Sequence, residues 1–401
     1  MRANHLSCEN GDVPGDGRVH YLDNLRALAM LAGVVFHAAL AYSPLMHPVW
    51  PAADAGGSVI VDAAAWFMHM FRMPLFFALA GYFAALLVAR RGMAGLFRNR
   101  CARVLLPLAL FAPPVLVSMA WLTERAAETV LRPSPALAWI RTYVDQHGAL
   151  PPMPGWAHLW FLFYLLLFTL MVWIASALDL GRMGAKVAEM PAAALVLVFP
   201  MLTTPALVLV GTPWPAPEFF VPALWALVFF GLYFAFGYQL FHHHRLLDRL
   251  QPLAPLLLAG AVVSCLVLFH LTDGFTAAPP HAMTHALHAL LEACAGCWMT
   301  FWCLLAARRW LGSRSVWMRW LADSAYWVYI VHLPLLLAIQ YRLLDTPWHW
   351  LAKFTLSLAA TLLLAFASYQ VMVRHTMIGK LLNGQVRRPT ASATTPESDV
   401  S

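Results

Sequence analysis

The chain of 401 residues is short of charge. Asp, Glu, Lys and Arg make up 11% of it, against about 25% in a soluble domain, so polar side chains cannot cover a water-facing surface of this size. It is shorter still of acids, with 19 against 26 Lys and Arg, yet the net charge of +7 does not mark a nucleic-acid partner. The basic residues lie between apolar segments rather than on one polar face. Cysteine is sparse as well: Cys8, Cys101, Cys265, Cys294, Cys297 and Cys303 are scattered and mostly inside or beside apolar runs, which excludes a disulfide framework. No charged, apolar, then small-residue leader opens the chain, so the first spanning helix is expected to serve as its own insertion signal.

What is present is apolar length. Hydrophobic residues reach 61%, the mean hydropathy is +0.67, and stretches of ~20 apolar residues recur between short loops. The pattern predicts an all-α, polytopic membrane bundle of about ten transmembrane helices. Their approximate spans are Asp23–Ala41, Val59–Ala89, Val104–Leu122, one beginning at His158, Pro191–Val210, Phe219–Phe241, Pro252–Leu271, His285–Ala307, Leu321–Leu343 and Trp350–Val373. The expected organisation is a polar tail over 1–20, one membrane domain over 21–375 and a disordered tail over 376–401. Basic residues follow the even-numbered helices, as with Arg90, Arg91, Arg98, Arg100 and Arg103 after the second and Arg308 and Arg309 after the eighth. Cytoplasmic loops retain Lys and Arg, so both termini are expected in the cytoplasm.

Ionisable groups within a span are costly unless paired or solvated, which makes each a functional candidate. In the first helix Asp23, Arg26 and His37 are three and then eleven residues apart, and at about 100° per residue they share one face with Gly33. His37 lies ~16 Å along the axis from Arg26, at ~1.5 Å per residue, so Arg26 is near the cytoplasmic surface and His37 deep. The second helix adds Asp62, His69 and Arg72 before Pro74, either a clamp for an oxyanion or carboxylate or a structural ion network. His332, before Pro334, is placed to bond a carbonyl that the proline frees. Trp50, Trp156, Trp214 and Trp348 either stack sugar rings or anchor the interface. His281, His285, His288 and Glu292 share a helical face; no metal is expected, although that spacing leaves a metal site open. Cys294 and Cys297 read as helix packing.

An Arg, ten residues and a His in the first helix resemble the signature of acyltransferase-3 membrane proteins, and Arg26 and His37 match it. LFFALAGYF (Leu75 to Phe83) and FRNRCARVLLP (Phe97 to Pro107) are similar to that family's second helix and following basic loop. HLWFLFYLLLF (His158 to Phe168) and SAYWVYIVHLPLLL (Ser324 to Leu337) resemble the branch that succinylates periplasmic glucans. Two departures stand out: LAGYF replaces a Ser-Gly start, and Asn99 separates arginines that are adjacent elsewhere.

The resemblance implies an inner-membrane O-acyltransferase that moves a succinyl or acetyl group from cytoplasmic acyl-CoA to a glucan or other glycan hydroxyl. No tightly bound cofactor is implied. His37 would be the base, or carry the acyl group covalently, and Asp23 would orient Arg26. Arg98, Arg100 and Arg103 would hold the donor's phosphates, and Arg72 the free carboxylate of a succinyl group. His69, His158, Trp160 and His332 are the candidate acceptor-side residues. The reading from another class is a transporter for a glycan or small anion, which commonly shows matching halves; no such symmetry is visible here.

Overall fold

A computed structural model of the chain describes residues 20–152, 155–178, 186, 189–243, 245–275, 281–313 and 315–383. Both termini, 1–19 and 384–401, lie outside the described residues. The described chain is helical: α1 (His20–Leu40), α2 (Val59–Arg100), a π-helical turn (Cys101–Leu105), α3 (Leu106–Thr129), α4 (Pro135–His147), α5 (Trp160–Ala177), α6 (Ala192–Leu207), α7 (Leu224–His242), α8 (Arg245–Leu250), α9 (Ala254–Leu271), α10 (Ala282–Trp310), α11 (Val316–Leu343), α12 (Trp350–Ser368) and α13 (Met377–Asn383). Strand pairing among the described residues is limited to one bridge between Gly155 and Phe219.

Local chemistry sets the helix ends. Ser58, Ser134 and Ser315 accept the backbone N–H groups of Ile60, Leu137 and Met318 to start α2, α4 and α11, and Gly148 ends α4 at a left-handed φ of 69°. Among the described residues eight helical segments are long and apolar enough to cross a membrane, and α6, with 16 residues, is a shorter apolar helix. One of the eight runs from Val59 to Thr129 as 71 continuous residues, broken by a kink where Gly92 takes φ 67° and passing through the π turn at Cys101–Leu105. At ~1.5 Å per residue that stretch is several times the thickness of a hydrocarbon core, so it holds both the second and the third expected spans; what differs is that helix, not a loop, continues between 89 and 104. Large apolar side chains point outward, Val117 67% and Leu363 69% exposed, because the solvent of this surface is lipid. α13 occupies the start of the segment expected to be a disordered tail, and its Leu382 is buried.

Small residues let helices close on one another. A Cβ at Gly81 would strike the Phe234 carbonyl and one at Gly237 the Ala78 carbonyl, so α2 and α7 cross backbone on backbone. α1 packs among α2, α10, α11 and α12, which makes it the axis around which the polar residues gather. At the His37 end of α1 the loop 41–58 is fixed by a buried ion pair, Lys353 Nζ to Asp54 at 2.6 Å, and by Asp62, which accepts Ser43 Oγ–H and, at 3.2 Å, Leu45 N–H.

Candidate functional site

Two cavities meet inside the bundle. The first, of about 480 Å³, is lined by Arg26, Arg90, Arg91, Arg100 and Arg103, with Asp23 and Asp323. The second, of about 790 Å³, is lined by His37, His69, Arg72, His158, Trp160 and His332. Met30, Phe76, Phe161 and Tyr329 line both, so these four side chains are the wall between them. The helical period puts Arg26, Met30, Gly33 and His37 on one stripe of α1. That stripe runs from the basic cavity, past the wall, into the histidine cavity.

Around His37 the hydrogen bonds fix the tautomers. His332 Nδ1 lies 2.7 Å from the Tyr329 carbonyl, which can only accept, so this nitrogen carries the proton. The neutral His332 ring then offers a bare Nε2, 2.9 Å from His37 Nδ1, and His37 Nδ1–H donates to it. What remains is the Nε2 lone pair of His37, on a half-buried ring that lines the cavity. His158 completes the scaffold. Its Nε2–H donates to the Tyr329 and Ile330 carbonyls at 3.1 and 3.2 Å, and its own carbonyl accepts Tyr329 Oη–H at 2.7 Å. Ile330 is four residues before Pro334, so its carbonyl is the one that the missing proline N–H frees. The sequence reading gave that carbonyl to His332; His158 takes it instead, because His332 turns back to Tyr329 and across to His37. Ala157, with φ 45°, sets the sharp approach to α5 that brings His158 into place.

Arg72 stands beside this network with no acid to pair. Asp62 is spent on the 41–58 loop, and Arg72 forms no ion pair among the described residues. Its guanidinium lies 4.5 Å from the centre of the Phe36 ring, and its Nε is buried without a partner. Gly33 makes room for it: a Cβ there would stand 2.9 Å from Arg72 Nη1. Glu218 is the one acid in the lining among the described residues, and it stands exposed at the edge of the cavity.

Other expected residues are placed differently. His69 lines the cavity, but its Nε2–H donates to the Trp214 carbonyl at 2.9 Å, and its ring lies 3.8 Å from that of Trp214. Glu292 accepts the Trp214 N–H at 2.9 Å, so one residue of the α6–α7 loop is held by both its backbone N–H and its carbonyl. Trp214 is fully buried, which removes it from the set of sugar-stacking or interfacial tryptophans. His285 bonds the Val208 carbonyl, and no three His, Cys, Asp or Glu among the described residues gather as a metal site. Asp23 and Arg26 pair at 3.3 Å in the basic cavity, one wall away from His37. Arg98 is exposed and outside both linings, whereas Arg90 and Arg91, read from sequence as topology signals, are inside the basic one. Trp160 is buried in the lining as expected. Tyr329 and Met30 had no signal in the sequence beyond ordinary spanning-helix residues, and Glu292 was read only with the histidines of its own helical face, not as a partner of Trp214.

Comparison with known proteins bears on this arrangement. The acyltransferase domain profile matches residues 19–370. The chain belongs to this acyltransferase family. It is similar to glucans biosynthesis protein C of Escherichia coli O139:H28 (strain E24377A / ETEC), 25% identical over 383 residues that cover 92% of this chain and 95% of that one. It is likewise similar to glucans biosynthesis protein C of E. coli strain K12, 32% identical over 161 residues covering 39% of each. No solved structure matches. The membership makes the protein an acyltransferase, and its apolar helices make it a multi-pass membrane protein.

If His332 sets the tautomer of His37 and that tautomer serves acyl transfer, His332→Leu should lower kcat by about tenfold or more, as the bonded neutral form of His37 is lost. His332→Gln, whose amide oxygen can accept from His37 Nδ1–H, should recover part of it, with KM for both substrates little changed in either variant.

Proposed function

We propose that the protein moves a short acyl group, succinyl or acetyl, from an acyl-CoA held in the basic cavity to a glucan or other glycan hydroxyl in the histidine cavity. The observation that carries this reading is the single face of α1 that opens Arg26 to one cavity and His37 to the other. The arginine-rich end would face the cytoplasm of a bacterial inner membrane, by the retention of basic residues on that side, and the glycan would meet the protein from the periplasm.

Arg26, Arg100 and Arg103, with Arg90 and Arg91, would take the phosphates through charge-assisted hydrogen bonds. His37 Nε2 would accept the acceptor's hydroxyl proton as the oxygen attacks the thioester carbonyl. The tetrahedral oxyanion would then collapse, with the C–S bond breaking and the thiolate recovering the proton from His37. Arg72 would hold the distal carboxylate of a succinyl group, since an unpaired guanidinium beside the base favours an anionic ligand. His158, Trp160 and Glu218 would shape the acceptor side. The names of the similar E. coli proteins favour a glucan as the acceptor.

His37→Ala should reduce acyl esters on the glycan by at least about 100-fold while glycan export continues, measured by mass spectrometry of periplasmic glycans. Loss of export with ester formation intact would favour the transporter instead. Arg72→Leu should slow transfer from succinyl-CoA by about 10- to 100-fold, the loss of a charge-assisted hydrogen bond of about 1.5–3 kcal/mol, and change acetyl-CoA turnover by less than about threefold. Equal losses with both donors would place Arg72 at the reacting carbonyl.

A further inference from the structure

The wall between the cavities is built unevenly. Tyr329 is tied: its hydroxyl donates to the His158 carbonyl and its own carbonyl accepts from His332 and His158. Moving Tyr329 would undo the bonds that set the His37 tautomer. Phe76 is buried, two residues past Pro74, with its ring 5.5 Å from that of Phe161. Met30 and Phe161 are only half-buried and carry no hydrogen-bonding atom. Met30 is moreover unbranched, with three rotatable bonds, so it can be displaced without breaking a bond in the histidine network. One side of the partition is thus fixed to the base, and the other is held by packing alone.

We infer that Met30 and Phe161 are specificity-determining residues, the movable half of a partition that admits an acyl group by its cross-section before it can reach His37. The inference rests on the two-cavity reading above and adds a selection rule to it. A slender, unbranched acyl thioester passes between Met30 and the fixed Tyr329–Phe76 side, whereas a branched or aromatic acyl group would have to move Tyr329 as well. Selection at the wall differs from selection in the histidine cavity, whose volume of about 790 Å³ has room for acyl groups much larger than succinyl.

The test is a donor panel of acetyl-, succinyl-, isobutyryl- and benzoyl-CoA with the purified full chain in nanodiscs, following release of free CoA thiol with glucan present. The wild type should favour the unbranched donors. Met30→Ala and Phe161→Ala should each raise the benzoyl-to-acetyl ratio of kcat/KM by about tenfold or more, the scale on which a pocket discriminates small changes in side-group size. Phe161→Leu, which disturbs packing less, should shift the ratio the same way. Such a gain cannot arise from misfolding. Leu337→Ala, which enlarges the histidine cavity away from the wall, should leave the ratio in place. An unchanged ratio in both wall alanine variants, or an equal rise in Leu337→Ala, overturns the inference while the two-cavity reading stands. A wild type that turns over no acyl-CoA overturns the reading and the inference together.

Discussion

A neutral imidazole in a membrane bundle can serve as a base only if its neighbours decide which nitrogen is bare. Here the decision starts at a main-chain carbonyl. Tyr329 accepts from His332, His332 accepts from His37, and the lone pair of His37 that survives belongs to the nitrogen not used in the chain. The same turn of α11 is held by His158, which takes the carbonyl freed by Pro334. A proline that would otherwise weaken a spanning helix thus frees the carbonyl that holds His158 against the turn from which His332 reaches His37.

The second constraint is electrostatic. A buried guanidinium without an acid partner costs several kcal/mol, so the bundle would gain stability from an apolar residue at position 72. Arg72 is accommodated by the face of Phe36 and by the space over Gly33, neither of which neutralises it. Asp62, ten residues earlier on α2, is committed to Ser43 and Leu45. The charge is left for a ligand, and its position beside His37 sets the donor's acyl group as that ligand in the proposed reaction. At the other end of α1 the arginines of the basic cavity are accompanied by Asp23 and Asp323, an arrangement open to a larger polyanion.

Much of this was legible where a short-range rule applied. The helical class followed from composition and apolar length, and the common face of Arg26, Gly33 and His37 from helical period alone. Met30 lies on that face too, but a methionine among apolar residues carries no signal until the cavities define what it separates. Arg98 and Arg90 show the limit of the same rule. The second helix continues eleven residues beyond the expected end, through the bend at Gly92, so these arginines lie on helix and not in a loop. The clamp on Trp214 was invisible for another reason: Glu292 and His69 meet it from 78 and 145 residues away, beyond any local pattern. His69 was singled out correctly as a lining residue, yet its polar atom serves the loop and not the cavity.

The claim that one face of α1 joins donor and base is tested most directly by a cryo-electron microscopy structure with a non-hydrolysable acyl-CoA analogue. The account predicts phosphates against Arg100 and Arg103 and the acyl carbonyl past Met30, within about 4 Å of His37 Nε2, close to near-attack distance. An acyl group that ends on the basic side of an intact Met30–Phe161 wall, or a nucleotide bound outside the basic cavity, would contradict it.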